Sequence, residues 1–309
     1  MALYAIDKPL GRTSHDVVDL LRKRLNTRRV GHTGTLDPLA TGVLILATEV
    51  STKLVPFLSA EDKEYLAWVS FGATTETLDA EGPITAETPV RPSRRELEET
   101  LSGFLGVTEQ VPPAYSAVKV GGVKAYEAAR KGEALALEAR PVKYLEATLL
   151  ALDPAPIAHK ISPSATGWTL GERGREIELP KPLGGYPTAV VRLVVGSGTY
   201  VRAFARDLGE RLGSKAFLSG LVRTRVGKIG LETAQDTQAL DPKRELDVLE
   251  ALSVPSVELS FAEAKRVMEG VPLPIPAKGL VALLGPGRKL VAVAEGDGFK
   301  LRIKRVFRE

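Results

Sequence analysis

A glycine-rich loop that leads straight into an apolar segment is the feature of this sequence that most limits its fold. Loop and segment run from Gly31 to Ala47 as GHTGTLDPLATGVLILA. The three glycines allow the backbone to turn tightly and to approach a ligand, and the apolar run from Val43 to Ala47 has the length of a buried strand. The sequence therefore predicts a loop that carries Asp37 on a rigid strand of the core.

The rest of the first 250 residues mixes helical and strand patterns. Thr13 or Ser14 can cap a helix over residues 15–26, because acidic residues follow in its first turn and apolar residues recur on one face. The patterns also predict helices over 94–104, 124–131 and 201–212, and strands over 65–71, 145–152 and 189–195. The Pro- and Gly-rich stretch 153–187 indicates an elaborated hairpin or loop. This mixture favours an α+β enzyme domain.

The sequence changes character after Leu252. A short helix around 261–268 is followed by two strand-like runs, which turns at 285–287 and 296–298 interrupt. Such turn-punctuated strands predict a small, separate β-rich module. We therefore expect two domains, 1–250 and 251–309.

Positive charge is concentrated near the C-terminus. The formal net charge is +4, and residues 285–309 hold seven basic and three acidic side chains, so this segment accounts for the whole excess. A second basic cluster ends the first predicted helix, and it consists of Arg22, Lys23, Arg24, Arg28 and Arg29. Taken singly, that cluster fits a solvated helix end equally well, because cations there favour the helix dipole. Together the two clusters predict a polyanionic partner.

Composition removes several classes of function. The chain has no cysteine, which excludes disulfides and thiolate chemistry, and its three histidines are too scattered for a zinc site, so we expect no metal. No apolar stretch approaches the roughly 18 residues of a membrane span. The start, MALYAIDKPLG, does not resemble a secretory leader, so we expect a cytoplasmic protein. Few thermolabile residues, with one Asn, three Gln and two Met, predict a thermophilic source.

Taken alone, Asp37 and His32 leave their roles open. Asp-Pro commonly starts a turn, and a lone histidine more often holds a structural hydrogen bond. The neighbouring segments change this interpretation, because five motifs occur in one order and spacing: Lys8-Pro-Leu-Gly-Arg-Thr-Ser14, the loop of residues 31–47, Lys63-Glu-Tyr65, Gly198-Thr-Tyr-Val-Arg202 and Leu221-Val-Arg-Thr-Arg225. With these motifs the chain resembles the TruB family of tRNA pseudouridine-55 synthases. The resemblance covers about residues 4–232, and the tail resembles a PUA-type RNA-binding module.

This resemblance implies a fold and a catalytic pair. The fold is α+β, with a mixed or antiparallel sheet, a thumb-like insertion over about 105–145 that grips the T arm of tRNA, and a small C-terminal PUA-like module. Asp37 corresponds to the family's catalytic aspartate. Arg202 corresponds to the arginine that pairs with it.

The resemblance also assigns the residues around the base. Tyr65 corresponds to a tyrosine that stacks on the target uracil, and His32 to a residue that packs on the RNA loop near the flipped base. Tyr200 and Leu221 correspond to residues that line the uridine pocket. Lys8 belongs to a first motif whose role is mainly architectural.

The chemistry of pseudouridine formation explains why these residue types suffice. The bond from C1′ to N1 of uracil breaks, the base rotates and C5 is joined to C1′, which requires no ATP, redox cofactor or metal. An ionised Asp37 can stabilise the cationic sugar or form an adduct with it, and a bidentate Arg202 would favour the charged carboxylate and orient it. A stacked Tyr65 would offset the cost of extruding the base. The sequence leaves open whether Asp37 attacks C1′, attacks C6 or assists elimination.

Other readings of the sequence remain open. The chain fits a related synthase that modifies another RNA or uses a guide RNA, although the uninterrupted thumb-like segment and short tail favour a stand-alone tRNA enzyme. An RNA-binding or RNA-folding protein with vestigial catalysis is a second alternative, and a carbohydrate hydrolase, for which no second acid is identifiable, is a weaker one. We expect a monomer that binds the T arm of tRNA and has no membrane or protein partner.

Overall fold

The computed structural model describes residues 2–133, 135–153, 160–180 and 185–308. Its helices are α1 (Ser14–Arg24), α2 (Val55–Leu58), α3 (Arg94–Ser102), α4 (Ala125–Ala129), α5 (Val201–Arg211), α6 (Val248–Leu252) and α7 (Phe261–Met268), with 3₁₀ helices η1 (Glu49–Leu54), η2 (Leu231–Thr233) and η3 (Pro286–Arg288). The strands are β1 (Ala2–Lys8), β2 (Val30–His32), β3 (Ala40–Thr48), β4 (Lys63–Phe71), β5 (Ala73–Thr75), β6 (Ile84–Glu87), β7 (Gly106–Gln110), β8 (Lys119–Val120), β9 (Val123–Lys124), β10 (Arg140–Asp153), β11 (Lys160–Ser164), β12 (Gly167–Gly171), β13 (Arg175–Glu176), β14 (Thr188–Val195), β15 (Ala216–Val226), β16 (Ile229–Gly230), β17 (Gln235–Asp236), β18 (Ser256–Glu258), β19 (Lys278–Leu284), β20 (Leu290–Asp297) and β21 (Leu301–Val306).

A mixed sheet forms the centre of the molecule, with strand order β17-β1-β3-β15-β4-β14-β10-β7. Strand β1 runs parallel to β17 and β3 runs parallel to β15, whereas the other neighbours along this path are antiparallel. Both β3 and β4 are buried along their whole length, because apolar layers cover both faces of the sheet. This burial explains why the 43–47 segment is uninterruptedly apolar rather than alternating. The predicted α+β class is confirmed.

The two faces of the sheet carry different layers. Helices α1, α3 and α5 cover one face, where Leu21, Leu97 and Phe204 pack on alternate residues of the strands; we call this layer the helical-side core. On the other face, η1, α2 and the end of the tail contribute Leu54, Leu58 and related residues; we call it the tail-side core. Successive strand residues therefore belong to opposite cores.

Most predicted elements are confirmed within one or two residues. Helix α1 begins after Thr13, whose hydroxyl accepts from the Asp16 N–H at 3.1 Å while the Asp16 carboxylate accepts from the Thr13 N–H at 2.8 Å. This reciprocal cap fixes where the helix starts. Helix α4 is shorter than the predicted 124–131, and β10 begins five residues before the predicted 145–152. Several strands were not predicted, among them β1, β18 and the central β15.

The expected insertion over about 105–145 leaves the edge of the central sheet. Its base is the antiparallel pair β7 and β10, in which Gln110 faces Arg140. Between them lie the short β8–β9 hairpin and α4. Within the stretch expected to be a hairpin or loop, residues 160–180 form the three-stranded sheet β12-β11-β13, while 154–159 and 181–184 fall outside the described residues.

The C-terminal strands form a separate sheet, β18-β19-β20-β21. One face packs on α7 around Val267, Leu283 and Leu301 to give a small core of its own. The other face contributes Leu284 and Phe307 to the tail-side core. The tail is therefore a β-rich unit that also covers apolar surface of the larger sheet. Its boundary near residue 250 stays a prediction.

Candidate active site

Asp37 lies in the loop between β2 and β3, at the point where the chain enters the core. The loop is held on α1 by Ser14, whose hydroxyl donates to the Leu36 carbonyl at 3.1 Å and accepts from the Leu36 N–H at 2.8 Å. Gly42 has φ +101°, and a Cβ there would overlap the Arg223 carbonyl on the neighbouring β15. Only glycine permits this close approach, which anchors the loop on the paired β3 and β15 strands.

Arg202 holds the Asp37 carboxylate in a two-point ion pair. Its Nε donates to Asp37 Oδ2 at 2.8 Å and its Nη2 to Oδ1 at 3.3 Å. The same guanidinium also donates to the carbonyls of Thr77 at 3.0 Å and Tyr115 at 2.9 Å. The Arg202 side chain is 7% exposed and that of Asp37 is 34% exposed. The arginine is thus fixed from three segments, while the carboxylate keeps an open side for a substrate.

A second carboxylate, which sequence reasoning did not single out, lies behind this pair. Asp79 Oδ2 is 3.6 Å from Arg202 Nε, and its side chain is 3% exposed. The Thr77 hydroxyl and the Glu81 N–H donate to Asp79 Oδ1. Burial raises the pKa of Asp79, although its hydrogen bonds and Arg202 act in the opposite direction. Asp37, Arg202 and Asp79 therefore form a carboxylate–guanidinium–carboxylate arrangement.

Lys8 is fully buried beside the same loop. Its ammonium donates to the carbonyls of Arg12, Pro9 and Pro38, the last of which directly follows Asp37 in the chain. Burial lowers the pKa of Lys8 to about 8, against the opposing effect of Asp37. The lysine therefore ties the first motif to the aspartate loop, in agreement with an architectural role.

The residues expected around the base occupy neighbouring positions. Tyr65 on β4 and Leu221 on β15 belong to the helical-side core together with Leu36 and Leu39 of the aspartate loop. Their exposures are 7% and 6%, so little of either side chain is open to solvent in this state. Leu221 also pairs with Ala40 at the start of β3. The fold thus brings Leu221 to the end of the Asp37 loop, whereas Tyr65 lies one strand further along the sheet, opposite Arg223 of β15.

Tyr200 precedes α5 and lies two residues before Arg202. Its backbone N–H donates to Gln110 Oε1 at 2.9 Å, and its carbonyl accepts from Gln110 Nε2 at 3.2 Å. Gln110 ends β7, so this double contact ties the base of the expected thumb to the segment that carries Arg202. Tyr115, also from that insertion, supplies a carbonyl to Arg202 as described above. A link between the insertion and Arg202 was not expected from the sequence.

His32 is hydrogen-bonded to the backbone of its own loop. Its Nδ1 accepts from the Gly34 N–H at 3.3 Å, and burial together with the nearby Arg223 lowers its pKa, which favours the neutral imidazole. No hydrogen bond or ion pair joins His32 to Asp37 among the residues that the structure describes. Arg223, 1% exposed, donates to the carbonyls of Val43 and Gly34 and so stiffens this side of the loop.

Two searches of the described ranges bear on other classes of function. No group of three or more His, Cys, Asp or Glu residues in them is arranged to hold a metal ion. Likewise, none of the described helices is both long and apolar enough to cross a membrane.

Comparison with known proteins gives consistent matches. Residues 22–166 match the model of the TruB family pseudouridylate synthase N-terminal domain. The chain is 69% identical over 308 residues to tRNA pseudouridine synthase B of Thermus thermophilus, covering 99% of both chains, and 47% identical over 308 residues to that of Deinococcus radiodurans, covering 99% of this chain and all of the other. The Thermus relative fits the thermophilic source expected from composition.

Solved structures give the same fold. The chain superposes on a protein of the Cbf5-Nop10-Gar1 complex with TM-score 0.70 at 23% identity, covering 99% of this chain and 85% of that one. A chain from an H/ACA RNP bound to a substrate RNA containing 2′-deoxyuridine gives TM-score 0.67 at 22% identity, with coverage of 100% and 85%. At these identities the likeness establishes the fold.

Proposed function

This chain belongs to the TruB family of pseudouridylate synthases, and from that premise we propose that it isomerises uridine 55 in the T loop of tRNA to pseudouridine. The family membership and the tRNA class rest on full-length relatives named tRNA pseudouridine synthase B. The observation that carries the proposed chemistry is the two-point pairing of Asp37 with Arg202 at an accessible carboxylate. Position 55 and the roles of individual residues are the parts of the proposal that need an experiment.

The proposed reaction conserves every atom of the nucleotide. The C1′–N1 bond breaks, a new C1′–C5 bond forms, and the hydrogen on C5 leaves as a proton while N1 gains one. Positive charge develops on the sugar as the first bond breaks, and we propose that the Asp37 carboxylate stabilises that charge or bonds to the sugar. We propose that Arg202 orients the carboxylate through its two hydrogen bonds and that Asp79 helps to hold the guanidinium in place.

The proposed base pocket is made by Tyr65, Tyr200 and Leu221. Stacking on an aromatic ring contributes about 1 to 3 kcal/mol per base, which is comparable with the cost of extruding a nucleotide from a folded loop. The two core residues among them, Tyr65 and Leu221, are nearly covered here, so a bound uracil requires the segments in front of them to open. The insertion over 105–145 is the segment joined to the site by Gln110 and Tyr115, and we propose that it moves when RNA binds.

The alternatives set out above fit less well. Chains of the solved Cbf5 complexes share the fold at 23% identity, whereas a full-length relative named tRNA pseudouridine synthase B is 69% identical. An intact Asp37–Arg202–Asp79 arrangement argues against vestigial catalysis, since an unused buried guanidinium and carboxylate would be costly to keep. A monomeric enzyme in the cytoplasm, acting on the T arm of tRNA with the tail adding affinity, is the form of the proposal that we favour.

One experiment tests the proposal directly. Purified full-length protein is incubated with tRNA carrying tritium at C5 of uridine, and release of tritium to water is measured with mapping of pseudouridine by sequence. We expect one tritium per tRNA, mapped to position 55. A matched tRNA with cytidine at 55 should release none. Release from another position, or no release from any tRNA, would contradict the proposal.

A further inference from the structure

Strand β15 contains an extra residue where it begins to pair with β4. Leu218 of β15 faces Val69 of β4. The next residue along β4 in this direction, Trp68, faces Gly220. One step along β4 therefore corresponds to two steps along β15, and Ser219 is the extra residue of a β-bulge.

A second bulge interrupts the same pair of strands beside Tyr65. Tyr65 faces Arg223, and its neighbour Glu64 faces Arg225. Thr224 is therefore the extra residue at this point. Bulges bend a strand and change the direction of nearby side chains, and they are frequent next to active sites. The two bulges of β15 enclose the short segment 220–223, which we call the shifted segment.

The first bulge decides which face of the sheet Leu221 occupies. Leu218 and Leu221 are three positions apart, yet both belong to the helical-side core. In a regular strand, residues three positions apart point to opposite faces. Leu221 faces Ala67 in the structure; without the extra residue it would face Leu66, which belongs to the tail-side core. The bulge at Ser219 therefore places Leu221 on the face of the proposed base pocket.

The same shift places Arg223 opposite Tyr65. From this position the Arg223 Nε donates to the Val43 carbonyl at 2.7 Å, and its Nη2 donates to the Gly34 carbonyl at 3.1 Å. Both carbonyls belong to the segment that carries the catalytic loop. The shifted segment thus contributes one residue of the proposed base pocket and one residue that holds the aspartate loop.

A buried hydroxyl holds each bulge. The Ser219 hydroxyl donates to the Trp68 carbonyl at 3.2 Å and accepts from the Ser70 hydroxyl at 2.8 Å. The Thr224 hydroxyl donates to Glu64 Oε1 at 2.9 Å and lies 3.3 Å from the Glu64 carbonyl oxygen. A bulge disrupts the backbone ladder, and hydrogen bonds from side chains to the neighbouring strand compensate for this loss. Both hydroxyls therefore stabilise the shifted register.

Glu64 is itself held rigidly behind the second bulge. Its side chain is 2% exposed. The Trp168 N–H of β12 donates to Glu64 Oε1 at 2.9 Å, and Arg225 Nη2 lies 3.4 Å from Oε2. These partners satisfy the buried carboxylate and keep it in place as the acceptor for Thr224. The small sheet β12-β11-β13 thereby supports the second bulge.

We infer that Ser219 and Thr224 are positioning residues, whose hydroxyls keep the shifted segment in the register that aims Leu221 at the base and Arg223 at the aspartate loop. This inference rests on the proposed function, which makes Leu221 a residue of the base pocket. Both residues are buried in the sheet, so they act through their neighbours rather than on the RNA. Their loss should affect kcat, because alignment of the base suffers while the surface that binds tRNA is unchanged.

The experiment compares Ser219→Ala, Thr224→Val and the double variant in full-length protein. Thr224→Ser is the conservative variant, because it keeps the hydroxyl. Thr48→Val is the matched control: the buried Thr48 also donates to a carbonyl of a neighbouring strand, that of Ala2 at 3.4 Å, but within a regular pair. The constants kcat and KM for tRNA are measured by tritium release, and melting curves accompany them. The same substitutions are repeated in a Leu221→Ala background.

We expect the double variant to lower kcat about tenfold with KM within about twofold of wild type, and Thr224→Val alone to lower kcat at least about threefold. Thr224→Ser and Thr48→Val should both keep kcat within about twofold of wild type. In the Leu221→Ala background the double variant should lower kcat by less than about threefold, because the residue that it positions is already absent.

An unchanged kcat in a folded double variant would overturn the inference. So would an equal fall in Thr48→Val, or a full tenfold loss in the Leu221→Ala background, since either result indicates a general effect on the sheet. If the double variant melts below the assay temperature, Thr224→Val and Thr224→Ser decide the question, and equal kcat values in these two would refute the role of the hydroxyl. Failure of the proposed function is distinguishable, because wild-type protein would then release no tritium from tRNA.

Discussion

Replacing Asp37 by asparagine tests the centre of the proposed mechanism with the smallest change in shape. The carboxylate accepts from Arg202 at 2.8 and 3.3 Å, and an amide can keep one of these bonds while it turns an N–H₂ donor toward the guanidinium. The negative charge that would face the cationic sugar is lost. We expect turnover to fall at least about a thousandfold, equivalent to ~4 kcal/mol of transition-state stabilisation.

The fold should tolerate this change, because Arg202 keeps other partners. Asp79 remains 3.6 Å away, and the carbonyls of Thr77 and Tyr115 still accept from the guanidinium. The loss of stability should therefore be about 1 to 2 kcal/mol, below the 3 to 5 typical of an abandoned buried charge. Binding of T-arm RNA should stay within about tenfold.

The assay is single-turnover tritium release from T-arm RNA, with binding and melting measured on the same preparation. Asp19→Asn is a matched control, because it removes one carboxylate from α1, where Asp19 is 49% exposed and pairs with Arg22. The control should keep full turnover. A folded Asp37→Asn protein that forms pseudouridine at close to the wild-type rate would refute the role given to Asp37.

Substitutions at three further residues probe the surroundings of the pair. Tyr65→Phe should keep the affinity for RNA within about threefold of wild type, whereas Tyr65→Leu should lower it about tenfold, because the stacking face contributes more than the hydroxyl. Near-normal turnover in both variants would make Tyr65 an ordinary core residue. Asp79→Asn should lower kcat about tenfold to a hundredfold with little change in KM, because Arg202 still pairs with Asp37 but loses its second carboxylate. An unchanged kcat would contradict the proposal that Asp79 positions Arg202. Burial lowers the pKa of Lys8 from 10.5 to about 8, so between these pH values the unfolded chain holds more protons than the folded one. The free energy of unfolding should therefore rise with pH over this range, by at most about 3 kcal/mol. Urea titrations of Lys8→Met should lack this part of the rise, and a pH profile identical to that of the wild type would contradict the prediction.

Local signals in the sequence predicted most of the helices and the loop that carries Asp37. The loop of residues 31–47 is a local pattern of glycine, Asp-Pro and an apolar run, and the caps and periodicity of α1, α3, α5 and α7 are equally local. The resemblance to the TruB family then connected Asp37 with Arg202 across 165 positions of the chain, and the structure places them in contact. Their catalytic roles stay predictions.

Contacts of residues that belong to no sequence motif or periodic pattern could not be predicted. Asp79 lies in ETLDAEG, a run of acids that by itself indicates a solvated turn, and its burial depends on β15 and α5 closing over it. The backbone carbonyls that accept hydrogen bonds from Arg202 and Lys8 could not be predicted from the sequence, because every residue has a carbonyl. Lys53 stood outside both basic clusters, and only the packing of the tail on η1 brings it to Arg305.

The charge around Asp37 explains why affinity has to come from elsewhere. Three acids, Asp37, Asp79 and Glu81, lie close to two cations, Lys8 and Arg202, so the charges in this group largely offset one another and supply no excess of positive charge for a phosphodiester. Binding must instead draw on the basic clusters at the end of α1 and in the tail, which are exposed and screened by salt. Raising salt from about 50 to about 200 mM should therefore increase KM for tRNA at least tenfold.

The same rise in salt concentration should leave kcat within about twofold of its low-salt value, because the Arg202 side of the ion pair is shielded from solvent. Steady-state kinetics at fixed pH, with saturating tRNA reached at each salt concentration, separates the two constants. If kcat fell with salt in proportion to kcat/KM, the ions of the added salt would be screening the Asp37–Arg202 pair itself. In that case the separation of binding charge from reacting charge would be wrong.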